Sequence, residues 1–162
     1  MTIRVRVEGL SEVKHHFEEM RQRAQDVSPA WEVFLDWWVT TNVEQFTSRG
    51  ARWRTPWKPL APRTMVEKRL AGYLSEPLVR TTRLRNSMTR RPLAVERVNA
   101  TEVEAGTDVP YAHFHQSGTR YMPARKLINA DAVAQEGAAG AAVLSWIIEG
   151  VPNTGGIQRL ER

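Results

Sequence analysis

The chain has 162 residues, a formal net charge of +5 and a sequence pI near 10.1. That length suits one domain burying roughly two-thirds of the surface its unfolded form would expose, and the absence of cysteine excludes disulfide scaffolds, thiolate zinc sites and cysteine nucleophiles. No run of about twenty apolar residues is present to span a bilayer. Met1 to Val7 alternates charge with hydrophobe, unlike a secretory signal, so no membrane partner is expected.

The charge is unevenly spread. Arg49 to Arg91 holds 12 of the 23 basic residues against only Glu67 and Glu76, a local balance of +10 that leaves −5 for the rest. Such an asymmetry suits a surface facing a polyanion or an acidic partner; the alternative is a solvated arginine-rich loop.

In chain order, Thr2 to Val7 alternates Ile3, Val5 and Val7 with Arg4 and Arg6, the period-two pattern of a half-buried strand. Gly9 ends it. Ser11 reads as a helix cap, and Leu10, Val13, Phe17, Met20 and Ala24 recur at helical spacing, predicting an amphipathic helix to about Gln25. Ser28-Pro29 starts a second helix, serine as cap and proline at the first helical position. Trp31, Phe34, Leu35, Trp38 and Val39 form its apolar stripe, Trp37 widens it, and Val43 and Phe46 extend it towards an end before Gly50.

Ser48 to Pro62 has three prolines and no periodicity, which predicts an extended loop. Trp57, between Pro56 and Pro59, is excluded from a helix or central strand, so its indole covers an apolar surface from the loop, either a subunit contact or its own core. Thr64 to Leu70 predicts a short helix, and Leu78 to Ser87 another turn or two.

Leu93 to Val98 and Thr101 to Ala105 predict a hairpin about Asn99-Ala100, since valine and threonine dominate and apolar positions alternate. Val109 to Gly118 predicts a turn followed by a buried or interfacial motif containing Tyr111, Phe114, His113 and His115. Ala130 to Glu149 predicts a C-terminal helix despite Gly137 and Gly140. A single domain over 1–150 and a flexible tail over 151–162 follow.

Three ordered blocks resemble the virion-morphogenesis, neck and tail-completion proteins of Mu-like and lambdoid tailed phages. Phe46 with Trp57-Lys58-Pro59-Leu60, Thr64 and Lys68 is similar to the stretch W-x-P-L-x-x-x-T-x-x-x-K. Leu78 to Ser87, with Thr82, Leu84 and Ser87, is similar to L-x-x-T-G-x-L-x-x-S. Val103 to Thr107 with Gly106, then Tyr111-Ala112, His115-Gln116, Gly118 and Pro123-Ala124-Arg125, matches V-x-V-G-T, Y-A, H-Q-x-G and P-A-R. Two departures stand out: Arg83 follows Thr82 where the family has glycine, unless the register slips by one, and Lys126-Leu127 replaces the phenylalanine or proline after P-A-R.

The resemblance implies a non-enzymatic subunit of the neck ring joining the capsid connector to the tail, found in the virion after assembly in the host cytoplasm. Its partners would be further copies in a sixfold or twelvefold ring, the portal adaptor or head-closure ring, the tail terminator or tail tube, and genome DNA in the channel. A tail-terminator ring subunit is the nearest alternative. The expected fold is α+β, an antiparallel sheet of about four strands against two or three helices, with long loops and an extended tail.

Arg80, Arg83, Arg85, Arg90 and Arg91 are the candidates for contacting DNA or an acidic neighbouring ring, because arginine makes paired hydrogen bonds to phosphate or carboxylate. Thr82 and Ser87 have no activating neighbour in sequence and read as turn or cap residues. A rival of another class is a nuclease or toxin using His113 and His115, whose spacing would put both imidazoles on one strand face. No third ligand accompanies them, so no metal or cofactor is expected.

Overall fold

A computed structural model of the chain describes residues 9–128 and 132–154. Its elements run α1 (Leu10–Gln25), α2 (Ser28–Thr47), a 3-10 turn (Ala51–Trp53), α3 (Pro62–Leu70), α4 (Arg83–Thr89), β1 (Val95–Val98), β2 (Val103–Gly106), α5 (Ala112–Ser117) and α6 (Ala132–Glu149). The expected strand over Thr2 to Val7 lies outside the described residues.

The expected four-stranded sheet is not found among the described residues. Among the described residues the chain is mostly helical, with one two-stranded antiparallel sheet. Part of the difference is the segment around Tyr111, which is helix α5. Pro110 ends the preceding loop, and Ala112 to Ser117 contains no β-branched residue, so nothing there favours a pleated strand. None of the described helices is long and apolar enough to cross a membrane.

The centre of the fold is α2. One face of it, with Glu32, Asp36, Thr40, Glu44 and Thr47, is exposed, and the broad opposite face buries Phe34, Leu35, Trp38 and Phe46 together with Thr41, Asn42 and Gln45. Trp57, Val79, Leu93, Val109 and Leu127, with Leu84 and Met88 of α4, Ala112 of α5 and Ala138 of α6, complete the cluster. Small residues on α6, Ala138 and Ala142, permit close approach of the two long helices.

Both expected serine caps are displaced. Gly9, at φ 79°, precedes α1 and Ser11 lies inside its first turn. Ser28 is already helical and Val27 stands at the cap position, while Oδ1 of Asp26 before it accepts hydrogen bonds from Ser28 N at 2.9 Å and Ser28 Oγ at 2.6 Å. The apolar stripe of α1 is also not core: Leu10, Val13 and Phe17 are 55, 51 and 62 % exposed. Only the C-terminal end of α1 is tied down by hydrogen bonds to α6, Arg23 donating to Ile147 O at 2.7 Å and Trp146 Nε1 to Arg23 O at 3.2 Å.

The hairpin forms as the alternation predicts, with Val98 opposite Val103 and Val95 opposite Gly106. Asn99 Oδ1 closes its turn by accepting from the amides of Thr101 and Glu102 at 2.9 and 2.7 Å. Ala100 O at the tip accepts from Val27 N at 2.9 Å, so the hairpin also buttresses the start of α2.

The loop after α2 is shorter in reach than expected. The 3-10 turn folds it back, Trp57 N donates to Arg49 O at 2.7 Å, and Trp57 is 6 % exposed. The tail likewise begins folded onto α6, Asn153 N donating to Ser145 Oγ at 2.7 Å; residues 155–162 lie outside the described part.

Met88 is fully buried beneath α2. Met88→Ala should therefore cost about 2–5 kcal/mol, measured as a lowered urea midpoint with an unchanged slope.

Candidate functional site

Two neighbouring recesses flank the segment from Glu76 to Arg90, and Val79 lines both. The larger, about 620 Å³, is formed by Thr64 and Lys68 of α3, Tyr73, the run Leu78 to Leu84, Tyr111 at the cap of α5 and His115 within it. The smaller, about 450 Å³, is lined by Val43, Phe46 and Thr47 of α2, Arg49, Glu76, and Arg85, Asn86, Thr89 and Arg90 of α4 and its end.

In the larger recess Lys68 is a fastener. Its Nζ donates to Glu76 O and Val79 O, both at 2.6 Å, pinning the loop that carries the arginines. Burial lowers its pKa, and Arg80 adds to that while Glu76 opposes it. Arg80 lies 4.9 Å over the Tyr73 ring. Arg83 approaches Asp108 only at 3.9 Å, both side chains being more than half exposed, a pair worth little in solvent.

The turn into α4 uses a left-handed backbone at Thr82, φ 61°. This is the position that glycine takes if the motif is read one residue earlier, so the tight turn persists without glycine. Leu84 behind it is buried, and Ser87 Oγ shares a 2.7 Å hydrogen bond with Thr107 Oγ1. Gly106, beside Thr107, ends β2 opposite Val95.

The first and third blocks are clamped together. Trp57 Nε1 donates to Lys126 O at 2.8 Å, and Gln45 Nε2 to the same oxygen at 2.9 Å. Arg125, 6 % exposed, donates through Nε to Lys58 O at 2.9 Å and through Nη2 to Pro59 O at 3.1 Å. Its amide donates to His115 O at 2.7 Å. Leu60 and Pro123 are half-buried beside this clamp, and Leu127 is 2 % exposed in the core, supplying the docking that a phenylalanine or proline after P-A-R would provide.

Gly118 ends α5 at φ 76°, and a Cβ there would stand 2.7 Å from Ala124 N. Only glycine allows the 118–124 loop to close so tightly. Trp57 is thus a core residue held by a carbonyl, the second of its two sequence readings.

Arg91 is spoken for. It donates to Glu96 at 2.6 Å, Glu32 at 2.6 Å and Asp36 at 2.9 Å, which raises its pKa, the Glu96 hydrogen bond foremost. Its role is to tie α2 to the hairpin. The signal available in sequence was Glu32 and Asp36, four apart and so on one face of the helix.

The paired-imidazole arrangement is overturned. His113 and His115 lie on α5, where residues two apart face roughly opposite sides. His113 is exposed, against the Phe114 ring at 3.8 Å, whereas His115 turns inward beside Tyr111 at 5.9 Å. Among the described residues no group of three or more His, Asp or Glu is placed to hold a metal. Gln45, Arg49 and Asn86, which line or support the two recesses, carry no recognisable motif.

No family model, curated protein or solved structure matches the chain.

Two outcomes follow from this geometry. Thr82→Gly should hold or raise stability by about 1 kcal/mol, because glycine adopts positive φ without the penalty threonine carries; thermal unfolding measures it. His115 has its pKa lowered by burial and by Arg125, so the fold favours its neutral form. Stability from this group is present above the ordinary histidine pKa and is lost as pH falls towards the lowered one. His115→Leu should flatten that part of the stability–pH curve.

Proposed function

We propose that the chain is a structural, non-catalytic subunit of a tailed-phage neck, acting in tail completion or head–tail joining as one member of a closed ring. The observation that carries this reading is the mutual clamping of the three resembling blocks. Residues far apart in sequence, selected only for their likeness to one family, meet in space: Trp57 and Arg125 join the first block to the third, and Ser87 and Thr107 join the second to the third. Motif residues met by accident would have no reason to be each other's hydrogen-bond partners.

The polar groups at these junctions are engaged with backbone carbonyls and hydroxyls, which makes a stiff joint and leaves no activated nucleophile. A ring subunit needs that stiffness, because each copy must present two unlike, complementary faces at fixed angles for the ring to close. The exposed apolar stripe of α1 and the basic segment on the far side of α2 are two such unlike surfaces.

Co-expression with the products of the genes flanking its own, followed by negative-stain electron microscopy, tests the reading. The expected result is a sixfold or twelvefold ring stacked on a portal-adaptor, head-closure or tail component. A monomer that joins none of them, or a purified chain that cleaves nucleic acid, overturns it.

A further inference from the structure

Arg49, Arg85 and Arg90 come from the turn after α2, the body of α4 and its C-terminal cap, yet they line one recess. None forms an ion pair with a described carboxylate, and Glu76 is the single acid on the lining. The contrast with Arg91, ringed by three carboxylates one residue later, is a contrast of use: the fold neutralises the arginine it needs and leaves these three open. Gathering like charges in a recess costs free energy unless an anion comes to lie among them.

Two further features accompany the charge. Arg49 is held at φ 53°, a left-handed conformation costly for a residue with a side chain. Asn86 Oδ1, on the same lining, is buried without a hydrogen-bond partner. Each guanidinium is a planar fork matched to an oxyanion.

The floor decides which oxyanion. Val43, 44 % exposed, and the edges of Phe46 and Val79 make part of the recess apolar. A nucleic-acid backbone offers phosphates and sugars along a stiff ridge and would ride on the arginines while leaving that floor wet. An extended peptide, whose side chains alternate in direction, sets an apolar residue down on Val43 while its carboxylates reach the rim.

We propose that this recess docks an extended acidic segment of a protein partner, its carboxylates taken by Arg49, Arg85 and Arg90 and an adjoining apolar side chain by Val43. The site goes beyond the neck reading and does not depend on it.

The test uses the full chain and a fluorescein-labelled peptide of alternating glutamate and leucine, read by fluorescence anisotropy at low salt. A matched glutamine–leucine peptide and labelled duplex DNA form the other arms. The expected result is saturable, salt-sensitive binding of the glutamate peptide alone. Arg85→Glu with Arg90→Glu should weaken it by about tenfold or more, and Arg85→Gln with Arg90→Gln by less; circular dichroism checks the fold, and the glutamine pair carries the test if the glutamate pair unfolds. Arg97→Glu with Arg120→Glu makes the same charge change elsewhere and should leave affinity near wild type. Equal loss in both glutamate pairs reduces the effect to net charge and overturns the site. Tighter binding of DNA than of the glutamate peptide, or no binding of that peptide, overturns it equally.

Discussion

Everything in this fold leans on α2 being covered from several directions at once. A short apolar stripe needs one neighbour, but the buried face of α2 is broad and runs nearly its full length, from Ala30 through Phe34, Leu35 and Trp38 to Phe46, so several partners share it. α6 covers one side with alanines, α4 covers another with Leu84 and Met88, and the Trp57 loop closes the C-terminal end with its indole edge-on to Phe46 at 5.3 Å. Removing any of these would expose aromatic area of the kind that dominates core energetics.

Wrapping an apolar helix with loops raises a second problem, because loop carbonyls that approach the core must find donors. The chain meets it with long side chains whose heads reach back to the main chain. Lys68 takes two carbonyls, Arg125 two more, and Trp57 and Gln45 share one. Arg125 shows the trade most clearly: a guanidinium almost wholly removed from water, its pKa lowered by that burial, stabilised by carbonyl dipoles instead of a carboxylate. These contacts fix the loops as firmly as strands would have done, which is how a small protein with a two-stranded sheet keeps long stretches without regular structure in place.

Helices with strong local signals were readable from the sequence, and so was the hairpin. The aromatic run of α2, the short helix expected over Thr64 to Leu70 and the alternation through Val98 and Val103 are each local patterns, although α3 begins two residues earlier, at Pro62. What was not readable was any property set by a distant partner. Ser11 and Ser28 have the chemistry of caps but lost the position to Gly9 and Val27, since a helix start depends on where the preceding turn delivers the chain. The stripe of α1 has core periodicity, yet only the end near Arg23 meets α6, so periodicity reported an apolar face without saying what covers it. His113 and His115 were misplaced for a similar reason: a two-residue spacing means one face only if the backbone is a strand, and Pro110 followed by alanine, phenylalanine and glutamine yields a helix.

The arginines were grouped by sequence and are separated by structure into two kinds. Arg91 and Arg125 are inside the architecture, one held by carboxylates and one by carbonyls, and their charge is already answered. Arg49, Arg85 and Arg90 are on the surface with theirs unanswered. A count of +10 over Arg49 to Arg91 weighs Arg91 the same as Arg49, Arg85 and Arg90, although its charge is already met by Glu32, Asp36 and Glu96. Since Arg91 fixes α2 against the hairpin and Arg125 anchors the loop between α2 and α3, the first kind also sets where the second kind points. The positions of the open arginines are therefore a consequence of the closed ones, and a partner that reads the open set is reading the packing of α2.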